Sequence, residues 1–210
     1  MARECLLVRK RRRKAPRTTD SRGWFKHYSN LITDYEPLES NKLWVSDITY
    51  IPLNKGFLYL SLITDAYSHQ IVGWDLSDTL HLEGALYALK KALATCKPIT
   101  GLIHHSDRGS QYRSYEYVKL LQDYGVEISM TQTGDPKENA VAERINGIIK
   151  NEMLEGKTYQ NIKTATKEIE TAINIYNTQR PHSSCQMLTP DKAALQKGHL
   201  IKIWKKKIHT

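Results

Sequence analysis

The order of the strand and helix patterns constrains the fold of this chain more than any other feature. Three short runs rich in β-branched and aromatic residues follow one another, at residues 43–51, 57–64 and 70–75. Turn-forming residues separate them, Asn54-Lys55-Gly56 in the first gap and residues 65–68 in the second. Connections this short join neighbouring antiparallel strands, so the sequence predicts a three-stranded meander.

Helices and strands alternate after the meander. The predicted helices cover residues 82–94, 115–124, 139–154 and 159–177, with a short one at Thr189-Pro190, and the two further strands cover 102–105 and 126–130. Ser114 is a suitable N-cap for the second helix, and Gly125 ends it. This order matches a ribonuclease-H-like α/β fold, in which a five-stranded mixed sheet is flanked by helices and followed here by C-terminal helices.

Three acidic residues occupy strongly patterned positions in this predicted fold. Asp47 lies in the first strand, Asp107 follows the fourth, and Glu143 lies on the helix after the fifth. The first and fourth strands are neighbours in such a sheet, and that helix can cross their ends. Three converging carboxylates can hold two hard cations about 4 Å apart, which suits in-line attack at a phosphodiester. The sequence therefore predicts that the three acids converge.

Basic charge is concentrated at the two ends of the chain, whose total formal charge is +9. Residues 1–22 carry +7, residues 197–210 carry +5, and residues 23–196 are left with −3. Residues 9–14 are six consecutive cations, which repel one another and disfavour a compact element. Two interpretations stay open for this run: a solvated linker, or an arm that contacts nucleic-acid phosphates.

Cysteine usage and hydropathy argue against several classes of protein. Cys5, Cys96 and Cys185 are far apart and form no CxxC pair, so neither a zinc ribbon nor a disulfide framework is indicated. The longest apolar runs are too short to span a bilayer, and no apolar signal core follows the basic N-terminus. We therefore expect a cytoplasmic protein without a membrane partner.

Five blocks of residues surround and follow the three acids. They are Trp44-Val45-Ser46-Asp47-Ile48-Thr49-Tyr50; Thr64-Asp65-Ala66-Tyr67-Ser68 with Ile71-Val72-Gly73-Trp74; His105-Ser106-Asp107-Arg108-Gly109-Ser110-Gln111-Tyr112; Gly134-Asp135-Pro136 with Asn139-Ala140 and Glu143; and Tyr176-Asn177 with Arg180-Pro181-His182 and Thr189-Pro190. In this order, with 35 residues between the last two acids, the chain resembles transposases of the bacterial insertion sequences that share the retroviral integrase catalytic core. Lys137-Glu138 depart from the family's usual aromatic and Asp.

The resemblance implies metal-dependent cleavage and strand transfer of DNA during transposition, without a covalent protein–DNA intermediate. The implied partners are element ends and target DNA, a homo-multimer on paired ends, and association with the bacterial nucleoid. No helix-turn-helix pattern precedes the core, so we expect a separately encoded subunit, a truncated product or a relic. Two alternatives stay open: an inactive remnant that only binds DNA, and a plain ribonuclease of the same fold.

The resemblance also assigns roles to residues. Asp47 would bridge two Mg²⁺ ions, which Mn²⁺ could replace, while Asp107 and Glu143 would complete one site each. Lys150, two turns after Glu143 and about 10 Å from it on the same helix face, would contact the phosphate beside the scissile bond. The remaining expected DNA contacts are Asn139, Asn146, Gln111, Arg11, Arg12 and Arg13, and purely structural roles stay open for them.

Other motif residues are expected to be structural. As metal ligands, His104 and His105 would suit Zn²⁺ better than Mg²⁺. His105 should pack, or support a metal ligand without binding the metal itself. Gly109 should relieve φ strain in its turn, and the block from Tyr176 to His182 should form a corner that packs the last helices. The predicted divisions are a basic lead (1–40), an integrase catalytic core (41–156), and a C-terminal helical extension with a basic tail (157–210).

Overall fold

A five-stranded mixed sheet forms the centre of the computed structural model, which describes residues 27–95, 100–133 and 136–203. The strands are β1 (Leu43–Pro52), β2 (Phe57–Asp65), β3 (Ile71–Ser77), β4 (Ile103–Ser106) and β5 (Glu127–Met130). Their order across the sheet is β3-β2-β1-β4-β5. The first three form the antiparallel meander, and β4 and β5 run parallel to β1. The predicted sheet is confirmed.

Among the described residues, five α-helices follow the strands or lie between them. They are α1 (Leu82–Thr95), α2 (Tyr115–Asp123), α3 (Ala140–Ile148), α4 (Ile162–Gln179) and α5 (Pro190–Ala193). Local capping explains where two of them begin. The Ser114 hydroxyl accepts the Tyr117 N–H at 3.3 Å, and the Asn161 side chain accepts the Thr164 N–H at 3.0 Å.

The helix predicted over residues 139–154 begins as a 3₁₀ turn (Pro136–Asn139) and ends as a π-helical turn (Ile149–Met153). In the π turn, the Leu154 N–H donates to the carbonyl of Ile149, five residues back, at 3.0 Å. Five-residue spacing places both of these side chains in the core, where Ile149 is 0% and Leu154 4% exposed.

Apolar cores lie on both faces of the sheet. On one face, α1 and α2 pack over Trp44 and Ile63. On the other face, α3, the π turn and α4 pack over Leu60 and Leu62. Side chains alternate between the faces along β1, and this alternation directs Val45 and Asp47 toward α3.

The block from Tyr176 to His182 forms a corner, as its sequence predicts. The Asn177 side chain accepts the N–H of Ile71 and donates to the carbonyl of the same residue, both at 3.0 Å, so it pairs with the first residue of β3. The Tyr176 hydroxyl donates to the His69 carbonyl at 2.9 Å. Arg180 donates to Glu152 on the π turn at 2.6 Å. These contacts fasten the end of α4 to the sheet and to the π turn.

Both ends of the described chain pack on the same domain. Met130 of β5 donates its N–H to the Ser29 carbonyl at 3.3 Å. Glu39 pairs with Lys197 in an isolated antiparallel β-bridge. Residues of α4 belong to the apolar core beneath the sheet. The proposed domain divisions stay a prediction. In the described part of the chain, no helix is long and apolar enough to cross a membrane.

Candidate active site

Strand register brings Asp47 and Asp107 side by side. β1 and β4 are parallel neighbours whose last paired residues are Ser46 and Ser106, and each aspartate follows one of these serines. Adjacent strands lie about 4.8 Å apart. Side chains along a strand point alternately to the two faces of the sheet, and both aspartates occupy positions whose side chains point toward α3. The predicted convergence of these two acids therefore follows from a single strand pairing.

Protein donors hold the Asp47 carboxylate from two sides. One oxygen accepts the Ile48 N–H at 2.8 Å, and the other accepts the Asn146 amide at 2.7 Å. Burial, followed by the charge of Asp107, raises the pKa of Asp47 from 3.8 to about 7, while the hydrogen bonds oppose that rise. The charge of Glu143 is the smallest of the causes that raise this pKa.

A tight turn holds the Asp107 carboxylate, which accepts the Gly109 N–H at 2.9 Å. Burial raises the pKa of Asp107, and this hydrogen bond and the charge of Arg113 oppose the rise.

Gly109 does not have a positive φ, so the prediction that it relieves φ strain is wrong. A Cβ there would lie 2.9 Å from the carboxylate, so glycine is needed for space. Sequence reasoning missed the buried Arg113, whose position right after the motif is the only signal for it.

Glu143 lies in the first turn of α3, and its side chain is exposed. Burial of its carboxylate raises the pKa of Glu143, although less of it is covered than of the two aspartates. Within residues 27–95, 100–133 and 136–203, no three His, Cys, Asp or Glu side chains are drawn together closely enough to hold a metal ion unaided. The two aspartates are thus fixed side by side, and Glu143 faces them from an open helix surface.

The two asparagines predicted to contact DNA point into the protein. Asn139 is 7% and Asn146 5% exposed. Asn139 donates to the Ser46 carbonyl at 3.0 Å, and Asn146 donates to Asp47. Both amides therefore bind α3 to β1, and each leaves a buried carbonyl oxygen without a hydrogen-bond partner among the described atoms. Asn146 therefore supports the Asp47 carboxylate, and Asn139 supports the strand just before it. Contact of these two residues with DNA stays a prediction.

The other predicted contacts lie in different surroundings. The Gln111 amide donates to the Leu80 carbonyl at 2.6 Å and is half-buried. Lys150 is half-buried in the π turn. Arg11, Arg12 and Arg13 lie outside the described residues.

The two histidines of β4 are packed inside the protein. His104 contacts the Ser46 hydroxyl at 2.7 Å and the Tyr117 hydroxyl at 3.0 Å, on the face away from the acids. His105 contacts the Ser129 hydroxyl at 2.8 Å. Burial lowers the pKa of both, to about 3 and about 4, so both rings are neutral. They hold in place the strand that ends just before Asp107, and the packing expected of His105 is observed.

Comparison with known proteins agrees with this geometry. Two models of the integrase core domain match residues 37–136 and 124–190. An uncharacterized 31 kDa protein of insertion element IS600 from Shigella sonnei is 36% identical over 90% of this chain and 71% of its own length. The chain belongs to the insertion-sequence transposases with an integrase core. As a transposase it is a polynucleotidyl transferase. The transposase of element IS904 from Lactococcus lactis is 35% identical over 81% of this chain and 72% of its own length.

Solved structures show the same fold at low sequence identity. The HTLV-2 integrase catalytic core, solved with magnesium, superposes on this transposase with a TM-score of 0.59 and 19% identity, over 76% of this chain and 99% of that one. An integrase chain in a simian T-cell lymphotropic virus intasome gives a TM-score of 0.66 and 17% identity, over 89% of this chain and 65% of that one. The predicted ribonuclease-H-like fold is confirmed.

Proposed function

We propose that this transposase cleaves DNA at the ends of an insertion sequence and joins the freed 3′-hydroxyl to target DNA, with Asp47, Asp107 and Glu143 as its catalytic carboxylates. The observation that carries the proposal is the strand register, which sets Asp47 beside Asp107 on the sheet face that α3 covers. Glu143 on α3 completes the set and acts electrostatically on Asp47.

The donor set suits a hard divalent cation. All three groups offer carboxylate oxygen only, which is the ligand type that Mg²⁺ prefers and Mn²⁺ accepts. When bound, two such ions would activate the attacking hydroxyl and stabilise the leaving oxygen. We propose that Asp47 contacts both ions and that the other two acids hold one each. The chain's own contribution is to orient Asp47 through Asn146 and Asp107 through the Gly109 N–H.

The open position of Glu143 implies that the cation site closes only with substrate. No tight three-acid cluster is formed by the described residues, so we expect weak Mg²⁺ affinity for the free protein and tighter binding once DNA supplies phosphate oxygens. Isothermal titration with Mg²⁺, with and without duplex DNA, measures this difference. Two tight sites on the free protein would contradict it.

Asp107→Asn tests the catalytic assignment. The variant should lose Mg²⁺-dependent joining of a labelled element-end duplex to plasmid DNA while its DNA affinity stays close to that of the wild type. Equal joining by both proteins would refute the assignment. DNA binding without joining by the wild type would instead favour the inactive, DNA-binding remnant.

We further propose that the basic lead, including Arg11, Arg12 and Arg13, contacts DNA phosphates. The six consecutive cations at residues 9–14 support this proposal. Deleting residues 1–22 should flatten the dependence of DNA affinity on salt, since fewer counterions are released. An unchanged dependence of DNA affinity on salt would refute the proposal that the basic lead contacts DNA.

The assembly, the cellular location and one DNA contact are inferred from the family. We propose that the transposase acts as a multimer on paired element ends, in the nucleoid, with Lys150 on a DNA phosphate and a separately encoded helix-turn-helix subunit that recognises the ends. Sedimentation of the protein with and without paired-end DNA measures the assembly. A monomer in both conditions would contradict it.

A further inference from the structure

Residues 131–133 follow β5 and lie beside the end of β4. The Thr131 N–H donates to the Ser106 carbonyl at 3.1 Å, which continues the pairing of β4 with β5 by one residue. Gln132 and Thr133 are exposed, so apolar packing does not hold the rest of this segment. Two charged side chains hold it instead, and they approach it from opposite sides.

Arg108 holds the segment from the side of Asp107. Its Nε donates to the Thr131 carbonyl at 2.6 Å, and its Nη2 donates to the Gln132 carbonyl. A planar guanidinium presents its donors in a rigid fork that meets two successive carbonyls, whereas a lysine ammonium is a single point. The Arg108 side chain is therefore turned toward the protein's own backbone.

Glu138 holds the same segment from the side of α3. Its Oε2 atom accepts the N–H groups of Gln132 and Thr133, each at 2.9 Å. The next residue, Asn139, donates to the Ser46 carbonyl on β1, and α3 begins one residue later. The start of α3 is thus tied both to the segment after β5 and to the strand that carries Asp47.

Together, Arg108 and Glu138 connect the strand end at Asp107 to the helix that carries Glu143. Arg108 directly follows Asp107, and Glu138 lies five residues before Glu143, in the 3₁₀ turn that leads into α3. A strand pairing fixes Asp47 beside Asp107, but side-chain contacts alone set the position of a helix over a sheet. The third carboxylate therefore depends on contacts of this kind.

We propose that Arg108 and Glu138 are positioning residues that clamp residues 131–133 between them and so place Glu143 relative to Asp107. This rests on the proposed function, in which these carboxylates hold one pair of cations with Asp47. Arg108 acts through its fork of donors rather than through its charge. Glu138 acts through an acceptor oxygen and is not a fourth metal ligand.

Hydrogen exchange in EDTA tests the clamp without any reaction. Arg108→Lys keeps the charge and loses the fork, so the amides of α3 should exchange faster than in the wild type. Glu138→Leu should have the same effect, whereas Glu138→Gln keeps an acceptor oxygen at the same reach and should exchange like the wild type. Glu170→Leu, at an exposed position of α4, is the matched control and should leave α3 unchanged.

Single-turnover joining of a labelled element-end duplex gives the second readout. Arg108→Lys and Glu138→Leu should each lower the rate by about tenfold or more and raise the Mg²⁺ concentration that gives half the maximal rate. Their DNA affinity in EDTA should stay close to that of the wild type, and Glu138→Gln should join at nearly the wild-type rate. The double variant should be no slower than the slower single variant, because either change opens the same clamp.

Each other outcome overturns the proposal. Unchanged exchange of α3 in Arg108→Lys or in Glu138→Leu would show that the clamp does not position the helix. Loss of joining by Glu138→Gln would make Glu138 a metal ligand, and wild-type joining by Arg108→Lys would leave Arg108 a role through charge alone. Additive losses in the double variant would separate the two residues. Failure of the catalytic assignment is distinct, because it appears as joining by Asp107→Asn and leaves the exchange result unaffected.

Discussion

Replacing Asp47 by Asn should stabilise the metal-free transposase at neutral and alkaline pH while abolishing strand joining. Burial and the Asp107 charge raise the pKa of Asp47 to about 7, above its ordinary 3.8. Between these two pH values the folded protein keeps a proton that the unfolded chain releases. Stability therefore falls as pH rises through this window, and the full penalty applies above it.

The size of the effect follows from that shift. Each pH unit of pKa difference corresponds to about 1.4 kcal/mol, so the penalty above neutral pH is at most about 4 kcal/mol. Asn has the shape of Asp and no charge. Its single carbonyl oxygen can still accept the Asn146 amide, but the hydrogen bond from the Ile48 N–H is lost, so the gain is smaller than the full penalty. We expect the Asp47→Asn variant to gain on the order of 2–4 kcal/mol at about pH 8 and almost nothing at about pH 4.

Urea unfolding in EDTA at these two pH values measures the difference. Asp123→Asn, an exposed position at the end of α2, controls for the removal of a surface charge. Equal stability of Asp47→Asn and wild type at the higher pH would refute the reasoning, and so would a gain that is the same at both.

Three further predictions concern the supports of the site and the fold. Asn146→Leu should lower the rate of single-turnover joining by about tenfold or more with little change in DNA affinity, because the carboxylate it orients loses a donor; a changed affinity alone would contradict this. Asn177→Ala should lower the free energy of unfolding by about 2 kcal/mol in urea titration, because Ile71 loses two hydrogen bonds. An unchanged urea midpoint would show that these corner contacts do not stabilise the protein. Gly73→Ala should cost about 3 kcal/mol or prevent folding, because its Cβ would collide with the Ala88 carbonyl; a thermal melt at the wild-type temperature would exclude the clash.

Much of the fold could be predicted because it depends on local patterns. The meander follows from period-two strands separated by short turns, and the start of α2 follows from the Ser114 cap. The π turn could not be predicted, because its i to i+5 bonding exists only when Ile149 and Leu154 both find places in the core. The spacing of the apolar residues alone is equally consistent with a continuous α-helix over the same residues.

In the candidate site, too, some features can be predicted from the sequence and others arise only from packing. The identities of the acids and the 35-residue spacing are properties of the sequence, and they indicate the family by themselves. The role of Asn146 was not visible, because an exposed and a buried asparagine look alike in one sequence. Only the packing of α3 on β1 turns its amide toward Asp47.

The sequence by itself determined which groups are present, the strand order that makes β1 and β4 neighbours, and the family of the protein. The tertiary structure decided how far each group is desolvated. Burial raises the pKa of both Asp47 and Asp107, because the sheet and α3 exclude water from around them, whereas Glu143 on the open face is less covered. Desolvation depends on all the surrounding elements at once, so no local stretch of sequence contains it.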